Sequence, residues 1–437
     1  MKLSYLNEID RKVLKLSFPI ILANISIPIL GMTDTAVLGQ LGNLDILAGI
    51  SLGAVIVGAI YWFFGFLRMG LTGLVSQSRG EENHEEIASL LVRGLCIAFS
   101  GGIILIISQN LIFNGIFSIL SAEENPEKLS RIYMSIRMMS APFAISFLVL
   151  IGWLFGMGKT MQALYLLLVV NIVNIFLDIV FVNGFNLGIA GVGYATVISE
   201  IIGFILGLLF CREYLFNSKL INMERIFSRV KWGEFLFLNL NIVIRSTLLQ
   251  IVFLSYLFFG TLFGSLTLAA NHILFQIANF SAYALDGIAF SSEILVGEAI
   301  GKRKLSLYQN VLKSCFKLGF IFSIILSLFF LIFGLRIINL MTSINEVINF
   351  SHDYIVWIII TPILAVASFL LDGIFLGAAR GSEIRVAMLQ SFIIFCIVAF
   401  IFISLFENQG LWISISIFYI ARAVTLKRYL YRINSLF

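Results

Sequence analysis

Acidic side chains inside long apolar segments are the residues of this chain best suited to chemistry. Asp34 lies in the apolar run of residues 29–38, and Lys15 is the nearest basic residue before it. A charged carboxylate in hydrocarbon is costly, and a bound proton or cation offsets that cost. We therefore predict that Asp34 exchanges a proton or binds a cation.

A second apolar segment of the first half carries Asn171, Asn174 and Asp178, spaced i, i+3 and i+7. On a helix this spacing puts all three side chains on one face. Where two carboxylates face one cavity, one of them binds a proton more readily than an isolated carboxylate would. Amide or hydroxyl oxygens beside them could also complete an oxygen shell for Na⁺. The pattern predicts a cation site in the first half and leaves H⁺ and Na⁺ open.

The second half carries a different polar stripe, whose spacings of 4, 3, 4, 3 and 7 residues again describe one helix face. Its members are His272, Gln276, Asn279, Tyr283, Asp286 and Glu293. Such a stripe is either a hydrogen-bonded seam between helices or the wall of a polar cavity for protons or cationic cargo. Arg245 and Asp372 lie in other apolar segments of this half, and we predict that Arg245 pairs with one of the three acids.

The elements that position these residues must be membrane helices. Apolar residues make up 60% of the 437 residues and charged residues 12%, whereas a soluble domain has about 25% charged residues. Windows of about 20 apolar residues predict an all-α integral membrane protein with twelve transmembrane helices. The predicted segments are 17–40, 46–72, 88–118, 132–157, 161–182, 188–211, 234–259, 266–296, 311–341, 354–378, 386–406 and 410–430.

The chain also repeats itself after about 221 residues. The sequence pattern that follows the second segment, at residues 77–80, recurs at residues 298–301, and Pro142 corresponds to Pro362. The longest polar connection lies between the two copies. We therefore predict an N-terminal six-helix lobe over residues 1–211, a cytoplasmic linker over 212–232 and a C-terminal six-helix lobe over 233–437, which is the layout of a secondary transporter.

Basic residues set the predicted orientation. With a cytoplasmic N-terminus, 23 of the 29 Lys and Arg residues fall on the cytoplasmic side, and both termini are cytoplasmic. Arg422 is counted on that side and Arg137 on the other. The formal charge of +5 thus reports membrane topology, and no nucleic-acid partner is expected.

Enzymatic function is not expected. The three histidines, His84, His272 and His352, are scattered, and no metalloprotease or hydrolase motif accompanies them. The four cysteines lie in or beside apolar segments without paired spacing, so neither a disulfide nor a metal centre is predicted. No cofactor is expected beyond a coupling H⁺ or Na⁺.

Several motifs together resemble the multidrug and toxic compound extrusion (MATE) transporters, and the DinF-like branch most closely. The motifs span all twelve segments and include Ser17-Phe18-Pro19 followed by Asp34-Thr35, Asn174 with Asp178, Thr196, Arg245, Asp286 leading through Glu293 to Gly301, and Asp372. The chain departs from the family pattern in two places: Leu30 replaces a common tyrosine, and the seventh segment presents Arg245 where some members carry an acid.

The resemblance implies two six-helix lobes in a V and the export of organic compounds in exchange for inward H⁺ or Na⁺. It implies a cation-coupling site, the one place where Na⁺ would bind, and a helix that bends at Pro19. The residues of that site would be Asp34, Asn174, Asp178 and Thr196. A second-lobe polar cavity would comprise Arg245, Gln276, Asp286, Glu293 and Asp372.

The same resemblance implies a monomer in the bacterial cytoplasmic (inner) membrane, in contact with membrane lipids and with small cationic or amphipathic substrates. A flippase for lipid-linked precursors is the alternative function, since related exporters share the lobe architecture. Those flippases usually line their cavity with several basic residues. The sequence offers only Arg68 and Arg245 in that setting.

Overall fold

The computed structural model describes residues 7–39, 44–120 and 123–437, and for residues 27–39, 44 and 47 it describes the backbone alone. The described chain is almost wholly helical, which confirms the predicted all-α class. Its helices are α1 (Glu8–Gly39), α2 (Leu44–Phe63), α3 (Gly65–Gly80), α4 (His84–Phe117), α5 (Glu124–Met139), α6 (Ala141–Gly156), α7 (Thr160–Asp178), α8 (Gly188–Leu215), α9 (Met223–Ile226), α10 (Arg229–Leu262), α11 (Ser265–Gly301), α12 (Leu305–Met341), α13 (Asn345–His352), α14 (Ile355–Gly377), α15 (Gly381–Lys427) and α16 (Tyr431–Asn434).

Membrane-length helices account for the predicted segments. Among the described residues, nine helices are long and apolar enough to cross a membrane, and ten if α5 and α6, which meet at a 57° bend, form one span. Helix α1 covers residues 17–39 of the first predicted segment. Helix α15 has non-helical backbone at Glu407, between the last two predicted segments. Each of the twelve predicted segments therefore has a helical counterpart.

The chain divides into two compact units. We call Leu22–Glu234 the N-unit, and Met1–Ile21 together with Phe235–Phe437 the C-unit. This division differs from the predicted one, because the first 21 residues group with the C-unit and residues 212–232 with the N-unit. The physical reason lies in side-chain contacts: Asp10 forms an ion pair with Lys317, and the Ser17 hydroxyl donates to Ser291 Oγ at 2.9 Å.

Small residues allow the helices that carry polar side chains to approach closely. In the N-unit, a Cβ at Gly203 of α8 would lie 2.4 Å from Val170 Cγ2, one turn before Asn174 on α7. In the C-unit, a Cβ at Gly373 of α14 would lie 2.2 Å from the carbonyl oxygen of Ala289 on α11. Helices α11 and α14 therefore pack backbone to backbone beside Asp372, and the backbone of α8 packs against a side chain of α7 near Asn174, as small residues commonly allow in membranes.

Candidate functional site

A buried polar cluster in the N-unit contains three of the predicted site residues. Asn174 and Asp178 lie on α7 and Thr196 on α8, and all three side chains are buried. Helix α7 ends at Asp178 and continues as a π-helical turn over Ile179–Gly184. Such turns are rare and occur often at functional sites. The structure thus brings together Asn174, Asp178 and Thr196.

The two orientations of the Asn174 amide make different hydrogen bonds, and only one of them satisfies both ends of the amide beside an ionised Asp178. In one, the amide nitrogen donates to Asp178 Oδ2 at 3.0 Å, and the amide oxygen accepts from the Thr196 backbone N–H at 3.2 Å and from its hydroxyl at 3.0 Å. In the other, the amide nitrogen donates to Thr196 Oγ1 at 3.0 Å, and that hydroxyl donates to the Val192 carbonyl at 2.9 Å.

The protonation state of Asp178 decides which arrangement is favoured. An ionised carboxylate only accepts hydrogen bonds, so it requires the amide nitrogen to face it. A protonated carboxyl can donate, and it then fits the arrangement in which the amide oxygen faces it. Rotation of the Asn174 amide therefore gives Asp178 Oδ2 a hydrogen-bond partner in either protonation state.

The remaining residues of the predicted coupling site lie on α1. The Asp34 side chain lies outside the described residues, so its role stays a prediction. Pro19 is buried and lies two residues before α1 passes from the C-unit to the N-unit. Asn171 donates from Nδ2 to the Ser26 carbonyl oxygen at 3.3 Å, so the predicted polar face of α7 meets α1.

The C-unit holds its buried acid in a different way. Arg245 on α10 and Arg422 on α15 both donate to Asp372 Oδ2 on α14, and all three residues are buried. The predicted pairing of Arg245 with an intramembrane acid is confirmed, with Asp372 as the partner. Arg422 was counted with the residues on the cytoplasmic side, and the structure shows that its side chain is buried inside the protein. Its position inside the predicted segment 410–430 was the available signal.

The other predicted cavity residues lie along α11, and their side chains become more buried from Gln276 to Glu293. The Gln276 side chain is exposed, Asp286 is half-buried and Glu293 is fully buried. A Cβ at Gly377 would lie 2.3 Å from the Glu293 carbonyl oxygen, so α14 packs directly against this part of α11. The structure therefore brings together Arg245, Asp372 and Arg422, while Gln276 is not part of that cluster.

The structure contains a further buried ion pair that the sequence analysis did not predict. Arg137 was predicted on the outer surface, but it is buried in the N-unit at the bend between α5 and α6. Its Nη1 lies 2.9 Å from Glu200 Oε1, and the Ser140 hydroxyl donates to Glu200 Oε2 at 2.6 Å. Glu200 is an isolated acid in the sixth predicted segment, which was the signal for a buried partner.

Comparisons with known proteins agree with this architecture. The MatE family model matches residues 19–180 and 242–406. The chain is 33% identical to DNA damage-inducible protein F of Escherichia coli (strain K12) over 428 residues, which is 97% of this chain and 92% of that protein.

Solved structures share the fold over nearly the whole chain. A crystal structure of MATE in the straight conformation aligns with a TM-score of 0.88 and 18% identity, over 98% of this chain and 97% of that one. A structure described as the bent conformation aligns with a TM-score of 0.85 and 19% identity, over 98% and 96%. With the family model and the E. coli relative, these matches show that the chain belongs to the MATE family of multi-pass membrane transporters for multidrug and toxic compounds.

Proposed function

We propose that this transporter exports small cationic or amphipathic organic compounds in exchange for H⁺ or Na⁺ moving inward. The observation that carries the proposal is the buried cluster of Asn174, Asp178 and Thr196. The Asn174 amide that bonds Asp178 is neutral, so this bond permits the charge of Asp178 to change when a proton or Na⁺ binds or leaves. A secondary transporter needs such a group to couple its substrate to an ion gradient.

The coupling free energy follows from the preference of the cation for one conformation. A cation that binds one state better by about 3 kcal/mol shifts the equilibrium between the two states more than a hundredfold. In the proposed cycle, a proton or Na⁺ at Asp178 and Asp34 favours one conformation of the N-unit. Loss of that cation, and rearrangement of the Asn174 amide, favours the other.

Helix α1 is the proposed mechanical element. Pro19 removes one backbone N–H from the helix, so bending there breaks no additional hydrogen bond. Solved structures of MATE are described in a bent and in a straight conformation, which supports two states for such a fold. Asp34→Asn resembles the protonated acid, and we expect it to fold normally and to lose gradient-driven efflux.

The proposed location is the bacterial cytoplasmic membrane, with both termini in the cytoplasm and the chain acting as a monomer in contact with lipid. The distribution of Lys and Arg supports this orientation, since most basic residues gather in the connections on one side. The buried Arg93, Arg137 and Arg422 are removed from that count. Arg93 and Arg422 had been counted inside and Arg137 outside, so most of the remaining basic residues still lie on the cytoplasmic side.

Efflux from reconstituted vesicles tests the proposal. Vesicles that contain the purified protein are loaded with ethidium, and efflux is followed under an imposed proton gradient, an imposed Na⁺ gradient or neither. We expect one gradient to accelerate efflux and Asp178→Asn to abolish that acceleration. Asp353→Asn is the matched control, because Asp353 is exposed, and it should behave as the wild type. Equal efflux with and without either gradient in the wild type would contradict the proposal.

One observation favours the flippase as a second candidate. Within the described residues, Arg245 Nε and Arg422 Nε and Nη1 are buried and have no hydrogen-bond partner. Two neighbouring guanidinium groups with spare donors are suited to a phosphate. Translocation of a fluorescent lipid-linked precursor between the leaflets of the same vesicles, with no gradient-dependent ethidium efflux, would favour this function over the first.

A further inference from the structure

An apolar groove lies in the C-unit between the start of α1 and the helices α11 and α12. Its volume is about 510 Å³, which is within the range of about 300–1,000 Å³ typical of ligand sites. Eight of its ten lining residues are apolar, and Phe18, Ile321 and Ile325 form its exposed walls. The hydroxyl of the lining residue Ser17 donates within the protein, to Val13 and Ser291.

The shape of the groove follows its helices. The lining runs from Leu14 to Ile21 on α1 and from Leu318 to Ile325 on α12, which is about 10 Å along each axis at 1.5 Å per residue. One leaflet of a bilayer core is about 15 Å thick. A groove of this length, parallel to membrane helices and closed on one side by Ile288 of α11, matches a segment of a single acyl chain.

Basic side chains gather at one end of this groove. Lys15 lines it, and Arg11 lies one helical turn before Lys15. Lys317 lies one turn before Ile321 on α12, and its ion pair with Asp10 fixes the start of α1 beside it. Glu8 and Lys12 add an exposed ion pair at 3.0 Å. The four cations and two anions of this end together carry a formal charge of +2.

We propose that the groove binds an anionic phospholipid, with one acyl chain against Phe18, Ile321 and Ile325 and the phosphate at Lys15 and Arg11. A zwitterionic lipid offers the same chain but no net charge to the basic end, so the anionic headgroup supplies the preference. Basic pockets between membrane helices on the cytoplasmic side are a known mode of lipid recognition. The bound lipid would hold the first turns of α1 against α12, immediately before Pro19.

Native mass spectrometry of the full chain in a neutral detergent tests the proposal. Phosphatidylglycerol and phosphatidylcholine with identical chains are added at equal concentration, and the retained lipid is counted. We expect phosphatidylglycerol to be retained preferentially, and Lys15→Ala to reduce that preference about fivefold. Lys304 is an exposed basic residue immediately before α12 and does not line the groove, so Lys304→Ala is the charge control and should leave the preference unchanged.

Filling the groove tests the acyl-chain part separately. Ile325→Trp should remove specific retention of phosphatidylglycerol, whereas Ile332→Trp, on an exposed position of the same helix, should not. Both variants should keep the melting temperature of the wild type in lipid-free detergent, which shows that they fold. If Ile325→Trp does not fold, Ile321→Trp replaces it as the variant that fills the groove. Equal retention of the two lipids, unaltered retention in both filled variants, or competition by glycerol phosphate as strong as by the lipid would overturn the proposal.

Discussion

The two units hold a buried aspartate in opposite ways. In the N-unit, Asp178 is bonded by the neutral amide of Asn174. In the C-unit, Asp372 lies between the guanidinium groups of Arg245 and Arg422. A neutral donor stabilises either protonation state after a simple rearrangement, whereas two permanent cations stabilise the charged form alone. Similar residues in similar helices thus acquire different chemistry from their partners.

This difference assigns different proposed roles to the two acids. Asp178 has a neutral partner in Asn174, which suits a group that gains and loses a cation during transport. Asp372 has the partners of a permanent ion, and its cluster with the two arginines carries a formal charge of +1. The C-unit is therefore proposed to shape the cavity and contact the substrate, while the N-unit couples transport to the gradient.

The largest expected effect comes from neutralising Asp372. Asp372→Asn leaves Arg245 and Arg422 buried without their counter-ion, and breaking a buried ion pair in this way costs about 3–5 kcal/mol. We expect a strongly reduced yield of monodisperse protein and a large fall in melting temperature in detergent. Asp178→Asn is the matched comparison and should retain most of its stability. Equal losses in both variants would remove the distinction between the two acids.

Removing the whole ion cluster should restore much of that stability. The variant Arg245→Met/Asp372→Leu/Arg422→Met replaces the three charges by apolar groups, and such replacements are often neutral or stabilising in buried sites. We expect its melting temperature to lie closer to the wild type than to Asp372→Asn. A triple variant as unstable as the single one would show that the charges stabilise the fold in their own right.

A smaller effect is expected from Asn174→Ala. The substitution removes the amide that bonds Asp178 and Thr196, and an unsatisfied buried polar group costs about 1–3 kcal/mol. Thermal unfolding in detergent should show an intermediate loss of stability. Asn110→Ala, at an exposed position of α4, is the control and should change the melting temperature little. If both alanine variants melt alike, the amide does not support the N-unit cluster.

Much of this comparison was predictable from the sequence. Helical spacing placed Asn174 and Asp178 on one face, and the cost of a charge in hydrocarbon required a partner for Arg245. The exact partners depend on helix packing, which spacing along one helix does not reveal. Arg422 and Arg137 were counted at the membrane surfaces although both lie within predicted segments, because their buried partners, Asp372 and Glu200, lie on other helices. The grouping of residues 1–21 with the C-unit depends on the long-range contacts of Asp10 and Ser17.

The smallest expected effect concerns a third acid, Asp10, which has one cationic partner. Burial raises the pKa of the Asp10 carboxyl, but Lys317 and the Asn7 backbone N–H outweigh burial and leave that pKa below its usual value. A lowered pKa stabilises the fold above the unfolded-state value, and this contribution is lost as the pH falls through the folded-state value.

Melting temperatures of the wild type and Asp10→Asn measure this contribution. We expect the wild type to be the more stable near neutral pH and the difference to shrink as the pH falls below about 4. Glu8→Gln breaks an exposed pair and should change stability little at any pH. A difference that grows on acidification would contradict the assigned direction.

The most direct test of the central claim compares gradient-driven efflux in Asp178→Asn and in the triple variant Arg245→Met/Asp372→Leu/Arg422→Met. Ethidium efflux from vesicles is measured with and without the driving gradient, and the ratio of the two rates reports coupling independently of the absolute rate. The account predicts a ratio near one for Asp178→Asn and a ratio above one for the triple variant, even where its absolute rate falls. A coupled Asp178→Asn beside an uncoupled triple variant would place the coupling site in the C-unit and contradict the account.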